Sequence, residues 1–411
     1  MTVQREIRHA SAFKPISVPV LADVDMANWD RVQSFTATTT QPEEKLYELG
    51  RRDKMTTHRQ ILEATASMTQ FEYGEIDSFL QLSGLLAEPS GGFELDDFDA
   101  PRLDFICPGK ERYGGTLEQT LWTENMALNS FEIAINADDQ IERSFEFAGE
   151  YAKIARNANK CIIFKTNDAP SGTDGSYVIT LDDPVPVIDP NTSVYILKLY
   201  RIRDGEAELL SLTTDYTYSN VTNNLTVLAA STGDHYRIWY SASSYGSAGD
   251  PQALNDEDAY YLSSENVTIT IDDGTHTPLV LDKATSFSIS ASFNRTNQAV
   301  IGTVEKLKDT ESYDVSISID QFVKNYLLQE ACAGQAGEDW GIIDYSTLAE
   351  VDVIVEIFSN ALKTEFVMGY KVENASLGDD TPADFSANAN GTNSSSLSSD
   401  NLLITKIQGN L

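Results

Sequence analysis

Apolar and polar residues alternate with a period of two through most of this chain. The alternation comes in two similar sets with a different block between them. Phe35, Ala37 and Thr39 share one side of a predicted strand, as do Phe287, Ile289 and Ala291. Each strand opens on a Ser-Phe pair and is followed at the same interval by a glycine, Gly50 in the first set and Gly302 in the second. These glycines are predicted to end strands where a positive φ or a bulge is needed. Upstream, residues 16–20 and 267–271 predict one more strand in each set, the first carrying a proline suited to a sheet edge. Downstream, residues 57–72 and 311–320 do the same, with clean alternation from Tyr313 to Ile319.

A short amphipathic helix is predicted next in each set. Ile76, Phe79, Leu80 and Ser83 keep helical spacing before Gly84. In the second set Asp320 is the expected N-cap, Phe322, Val323, Tyr326 and Leu327 form the apolar stripe, and Gly334 stands where a C′ glycine belongs. A further strand block follows. Phe131, Ile133 and Ile135 alternate with polar or small residues ahead of Gly149, and Val351, Val353 and Val355 do so ahead of Gly369 at the same interval. Residues 160–164 and 402–406 are expected to close the two sets. The parity of Phe145 and Phe147 does not match that of Phe366 and Met368, so either a bulge intervenes or this register is off by one. The sets differ in their loops. The first carries an apparent insertion over 86–122, acidic at Glu94, Asp96, Asp97 and Asp99 and glycine-bearing at Gly109, Gly114 and Gly115. The second has a stretch rich in Ser, Asn, Asp and Thr over 375–400, which reads as a flexible loop.

Between the sets, strands are predicted at 177–181, 193–200, 225–228 and 236–240, at the spacing of a β-sandwich. Glycine- and serine-containing linkers flank them. The expected fold class is therefore mainly β, with units over 1–167 and 255–411, each bearing a short flanking helix, and an inserted immunoglobulin-like β-sandwich over 168–254.

Composition narrows the function. A chain of 411 residues suits two or three domains, and a hydrophobic content of 41% supplies real cores. The formal charge of −34 excludes a binder that tracks duplex phosphates with Lys and Arg. It suits a halophilic source, or a surface that nucleic acid slides past. Cys107, Cys161 and Cys332 lie far apart without metal-ligand spacing and are expected to be buried thiols. His9, His58, His235 and His276 have no partner at helical or strand spacing. No nucleophile elbow, phosphate loop or zinc motif occurs, and the acidic clusters, including Asp23 and Asp25, complete no calcium loop. Asn-x-Ser/Thr sequons such as those at Asn191, Asn220, Asn224 and Asn390 are expected by chance in so polar a chain. No catalytic residue, cofactor or metal is assigned. No apolar run approaches the roughly 20 residues of a membrane span. The first residues lack the apolar stretch of a secretory signal, which predicts synthesis in a cytoplasm.

The segment from Gln41 to Gly50, the strand ending Phe71-Glu72-Tyr73-Gly74 and the block from Asn129-Ser130-Phe131 to Phe147-Ala148-Gly149 resemble the tail tube proteins of tailed viruses. The resemblance covers about 1–167 and 255–411, and rests on block order and spacing. It implies β-sandwich or barrel-like units whose sheets join around a lumen, in rings that stack into a tube conducting DNA. A duplicated chain would supply two of six units, giving trimeric rings in a non-contractile, siphovirus-like tail. The implied partners are further copies of the chain and the tape measure, terminator and baseplate or tip proteins. DNA would pass without sequence-specific binding, and no membrane insertion is implied. The region from Glu94 to Gly115 is then the candidate inter-ring loop, with 50–57 and 302–310 as rivals, and the central sandwich faces outward. The alternatives are a contractile-tail tube, a β-sandwich adhesin or surface-layer protein and, last, a β-rich glycosidase with paired carboxylates.

Overall fold

The computed structural model describes residues 9–10, 14–17, 32–40, 43–46, 56–59, 63–71, 93–94, 103–110, 117–149, 151–156, 161–167, 171–173, 175–181, 196–204, 206–219, 222–242, 262–299, 306–322, 326–334, 348–384 and 391–405. The protein is mainly β, and its strands repeat one plan twice. In the first unit Val32–Thr40, Glu63–Phe71, Glu142–Gly149 and Leu117–Asn136 lie side by side in that order, all antiparallel. In the second, Ala284–Ala299, Lys306–Phe322, Thr392–Ser399 and Phe366–Asp384 take the same places. These make the front sheet of each unit. A back sheet stands behind each. Lys14–Ser17, Leu103–Lys110, the start of Leu117–Asn136 and Tyr151–Arg156 form one. Val267–Asp272, Val351–Phe358, the start of Phe366–Asp384 and Asn401–Thr405 form the other.

One long strand per unit therefore runs through both sheets, and both turn between sheets at an asparagine. Asn125 has φ 56° and Asn374 φ 51°, the left-handed region that Asn tolerates better than most residues. Each donates its backbone N–H to an aspartate on the neighbouring back-sheet strand, Asn125 to Asp104 Oδ1 at 2.9 Å and Asn374 to Asp352 Oδ1 at 3.0 Å. A left-handed residue bends the strand, and the carboxylate satisfies the N–H that the bend takes off the ladder. Apolar alternation then fills the space between front and back sheets. Phe105 and Phe147 meet edge to face at 4.8 Å, and Phe131 of the first unit stacks near Tyr370 of the second at 6.1 Å. One core runs through both units.

The middle module has a core of its own. Cys161–Asn167, His235–Ala242, Ile196–Arg203 and Glu206–Leu209 form one sheet; Ser171–Thr173, Ser176–Thr180, Asn224–Leu228 and Tyr216–Ser219 form the other. Leu199, Ile238 and Tyr240 from the first sheet pack on Ile179, Leu225 and Val227 from the second.

Several expectations from the sequence need correction. Val351–Phe358 does not match the strand of Phe131; its place is that of Leu103–Lys110, and the counterpart of Leu117–Asn136 is Phe366–Asp384. Gly149 accordingly has no counterpart in Gly369, and the mismatched parities belong to strands that are not equivalent. Every strand here shares a period of two, so spacing alone cannot tell neighbouring strands apart. Cys161–Asn167 pairs with His235–Ala242 in the middle module, and Tyr151–Arg156 closes the first unit instead. The span 86–122 is not simply an insertion, because it contains Leu103–Lys110, with Gly109 inside it, and the start of Leu117–Asn136. The described part of the span 375–400 is strand, not a flexible loop. It supplies the end of Phe366–Asp384 and all of Thr392–Ser399, where Asn393, Ser395 and Leu397 point inward. Serine-rich composition hid strands whose register the neighbours supply. The second-unit helix is Leu327–Cys332 with Tyr326 at its N-cap, while Asp320 and Phe322 still belong to a strand. Leu328, Ala331 and Cys332 form its buried side. Gly334 follows with φ 65°, a conformation that a Cβ would strain.

Candidate assembly surfaces

The two units meet edge to edge. Residues 286–292 of Ala284–Ala299 pair antiparallel with residues 130–136 of Leu117–Asn136, so the two front sheets become one. Phe287 lies opposite Ile135, Ile289 opposite Ile133 and Ala291 opposite Phe131, all buried. Apolar cross-strand pairs of this kind hold a junction through side-chain burial as well as ladder hydrogen bonds.

The outer edges of the joined sheet repeat the two kinds of edge that meet inside it. At one end lies Val32–Thr40, counterpart of Ala284–Ala299; at the other lies the end of Phe366–Asp384, counterpart of Leu117–Asn136. Among the described residues no strand pairs with the far side of either. Their chemistry differs from that of the inner junction. Asp380, opposite Ser395, holds the place of Phe131, opposite Phe145. Asp380 accepts hydrogen bonds from Ser395 Oγ at 2.6 Å and Gln329 Nε2 at 3.1 Å. Thr39 holds the place of the buried Ala291 and is exposed.

The front face turned away from the core is built of hydroxyls and carboxylates. Ser34, Thr36, Thr38, Thr65, Ser67 and Ser144 cover it in the first unit, with Glu132, Glu142 and Glu146. In the second unit it carries Ser286, Ser288, Ser290, Ser316, Ser318, Ser394, Ser396 and Ser398, with Asp314 and Asp320. Phe71 and Phe322 stand at one end of it in equivalent positions. No lysine, arginine or histidine is present among the described side chains of this face. Arg143, a buried cation of the first unit's front sheet, points the other way, toward the core beside Gln70.

The residues singled out from sequence fall into three groups. Phe35, Phe287 and Phe131 lie on front-sheet strands and face the core; Phe35 is half-buried, the other two buried. Val351 and Gly369 lie on the back-sheet side of the second unit, Gly149 ends a front strand, and Gly334 ends the helix. Glu94 pairs with Leu403, so part of the proposed inter-ring segment joins the second unit's back sheet in the same chain. Gly50, Gly84, Gly302, Asp96, Asp97, Asp99 and Gly115 lie outside the described residues. In the rival stretches 50–57 and 302–310 the described residues are strand: Thr56–Arg59 pairs with Glu43–Leu46, and Lys306–Phe322 pairs with Ala284–Ala299. Sequence reading missed the serine face, because alternating serines look like a loop until apolar neighbours show which side is buried. It also missed the aspartates that receive the two asparagine N–H groups, which lie 21 residues before Asn125 and 22 before Asn374, so no single repeated spacing marks them.

Among the described residues no cluster of His, Cys, Asp and Glu could hold a metal, and no helix is long and apolar enough to cross a membrane. No protein-family model matches the chain, and no curated protein matches it in sequence. Solved structures do show likeness. The anti-feeding prophage tube-terminating cap is 16% identical with a TM-score of 0.27, over 38% of this chain and 99% of that one. A chain of the PVC extracellular contractile injection system, from its sheath-tube complex in the extended state, is 16% identical with a TM-score of 0.28, over 39% of this chain and 99% of that one. A chain of the anti-feeding prophage baseplate is 13% identical with a TM-score of 0.28, over 35% and 94%.

Proposed function

We propose that the chain is the structural subunit of a tube, with three copies closing head to tail into a ring whose front faces line the lumen. The observation that carries this reading is the inner junction. It is a heterologous contact between two unlike edges, and the same two kinds of edge recur at the ends of the sheet, where no described strand pairs with them. A heterologous contact repeated at a fixed rotation closes a ring or runs on as a helix. With two units per chain, three chains supply six and no edge is left over. The hydroxyl and carboxylate face suits a channel for DNA, since its described side chains include no cation for phosphates to pair with. The middle module packs against the outward side of the first unit's back sheet, so it would stand on the ring's exterior in threefold repeat. Stacked rings would form the tail tube of a siphovirus-like particle, alongside proteins that set its length and close its ends. With 63 acidic against 29 basic residues, the chains repel one another and assembly is favoured by salt, as a halophilic source would provide.

The inner register also specifies the outer one. Ser292 lies opposite Ser130, and their counterparts are Thr40 and Asp379, both exposed. A Thr40→Cys, Asp379→Cys double variant, assembled and then treated with a short dithiol-reactive linker, should give a denaturing-gel ladder that stops at three chains. Electron microscopy of the wild type should show hollow tubes with a threefold exterior. A protein that stays monomeric at every salt and concentration, or a ladder that runs past three, overturns the reading.

A further inference from the structure

The two units carry the same pair of carboxylates at the bend of the long strand but neutralise it differently. In the second unit Asp352 and Glu373 both hold Lys371, at 3.1 Å and 2.8 Å, from within the unit itself. In the first unit the counterparts are Asp104 and Glu124. Asp104, like Asp352, accepts the N–H of the left-handed asparagine, and Glu124, like Glu373, precedes that asparagine. The counterpart of Lys371, opposite Ile354, is Trp122, opposite Ile106. An apolar ring thus occupies the place of that cation, and the charge that reaches Asp104 comes from the middle module. Lys198 of the middle module lies 3.0 Å from Glu124 Oε2 and 3.4 Å from Asp104 Oδ2. Its ammonium also lies over two indole rings, 5.3 Å from the centroid of Trp122 and 5.9 Å from that of Trp239. Trp122 Nε1 donates to Asp104 Oδ2 at 3.3 Å, and Lys153 of the first unit also pairs with Glu124. Around this group Ile106 and Trp122 of the first unit close on Ile162, Phe164 and Trp239 of the middle module.

We infer that the Asp104–Glu124 pair is a docking socket for the middle module, fixing it in one orientation through Lys198. Asp104 has a fully buried side chain, and Glu124 is only 6% exposed. If the module withdrew, Lys153 would stay with Glu124 but buried Asp104 would lose its ion pair with Lys198, a cost that the second unit, with Lys371 in place, never meets. The apolar patch supplies area and the ion pairs supply orientation. The second unit, whose pair is filled by its own Lys371, offers no equivalent socket. The inference concerns one chain and holds whether or not rings form.

Spin labels at Thr217→Cys in the module and Leu362→Cys in the second unit test it in the full chain. Both sites are exposed, while the native cysteines are buried, with Cys107 and Cys332 held protonated by thiol pKa values pushed up to about 12, chiefly by burial. Pulsed dipolar spectroscopy should give a single narrow distance peak, and Lys198→Met should broaden it. Adding Trp122→Lys, which rebuilds the second unit's arrangement, should recover the melting temperature of the first unit and leave the distance broad. If Lys198→Met does not fold, the isosteric Glu124→Gln should broaden the peak in its place. A narrow peak in Lys198→Met, or in Glu124→Gln where that is the variant read, overturns the socket, as does Trp122→Lys restoring the narrow peak.

Discussion

At the scale of single residues, the middle module shows how one buried acid organises a turn. Asp234 is 1% exposed in its side chain and accepts two bonds from Arg203, at 2.7 Å from Nε and 2.8 Å from Nη2. It also accepts the Ser231 N–H at 2.8 Å and the Tyr236 hydroxyl at 3.2 Å. Burial alone would raise its pKa; these donors outweigh burial and hold it below the ordinary carboxylate value. A depressed folded value means that the stabilisation is fully present above the unfolded pKa of about 3.9 and is lost as pH falls through the folded one. Acid titration followed by near-ultraviolet circular dichroism should therefore show the module loosening below that point. Asp234→Asn should cost ~1–3 kcal/mol at neutral pH and flatten the acid dependence, because an amide cannot accept all of these donors. An unchanged acid profile in the variant would assign the transition to other carboxylates.

At the scale of elements, the bend of each long strand governs its neighbours. Gly149 ends Glu142–Gly149 where the chain passes over the bend at Asn125. A Cβ there would lie 2.8 Å from the Glu124 carbonyl oxygen and 2.1 Å from the Met126 sulfur. The sulfur can swing away and the carbonyl cannot. Gly149→Ala should destabilise the first unit by ~1–3 kcal/mol, read as a lower melting temperature. Gly378→Ala, whose Cβ would stand 3.5 Å from its nearest neighbours, should lie close to wild type and serves as the control. Equal effects at both positions would refute the crowding argument. The elements were unevenly legible in the sequence. Val267–Asp272 and the alternation from Tyr313 to Ile319 stood out because isoleucine, valine and tyrosine mark one face. Thr392–Ser399 did not, because an alternation of serine with serine carries no contrast. The Leu327–Cys332 helix was placed too early because strand alternation and helical spacing overlap at Phe322.

At the scale of the whole molecule, the joined sheet presents a face on which no described side chain is a cation, the face proposed to line the lumen. Ser288→Lys, Ser316→Lys and Ser396→Lys would set three cations on adjacent strands with little cost to the fold, since all three side chains point away from the core. Assembled tubes of this variant should retain DNA at low salt and release it as salt rises, while wild-type tubes should retain none; co-sedimentation reads both. Retention by the wild type would mean that this face is not a non-stick wall.

The sequence alone was enough for the class of the fold, for the existence of a repeat and for the excess of negative charge, because each depends on local periodicity or on a sum over residues. It was not enough for the partners of the strands. A period of two is shared by every strand, so which strand follows which, that Phe131 meets Ala291 across the units, and that Lys198 replaces Lys371 in neutralising a carboxylate pair were decided only when the chain folded. Those facts depend on residues far apart in the chain being brought within hydrogen-bonding reach, and the sequence carries no local mark of it.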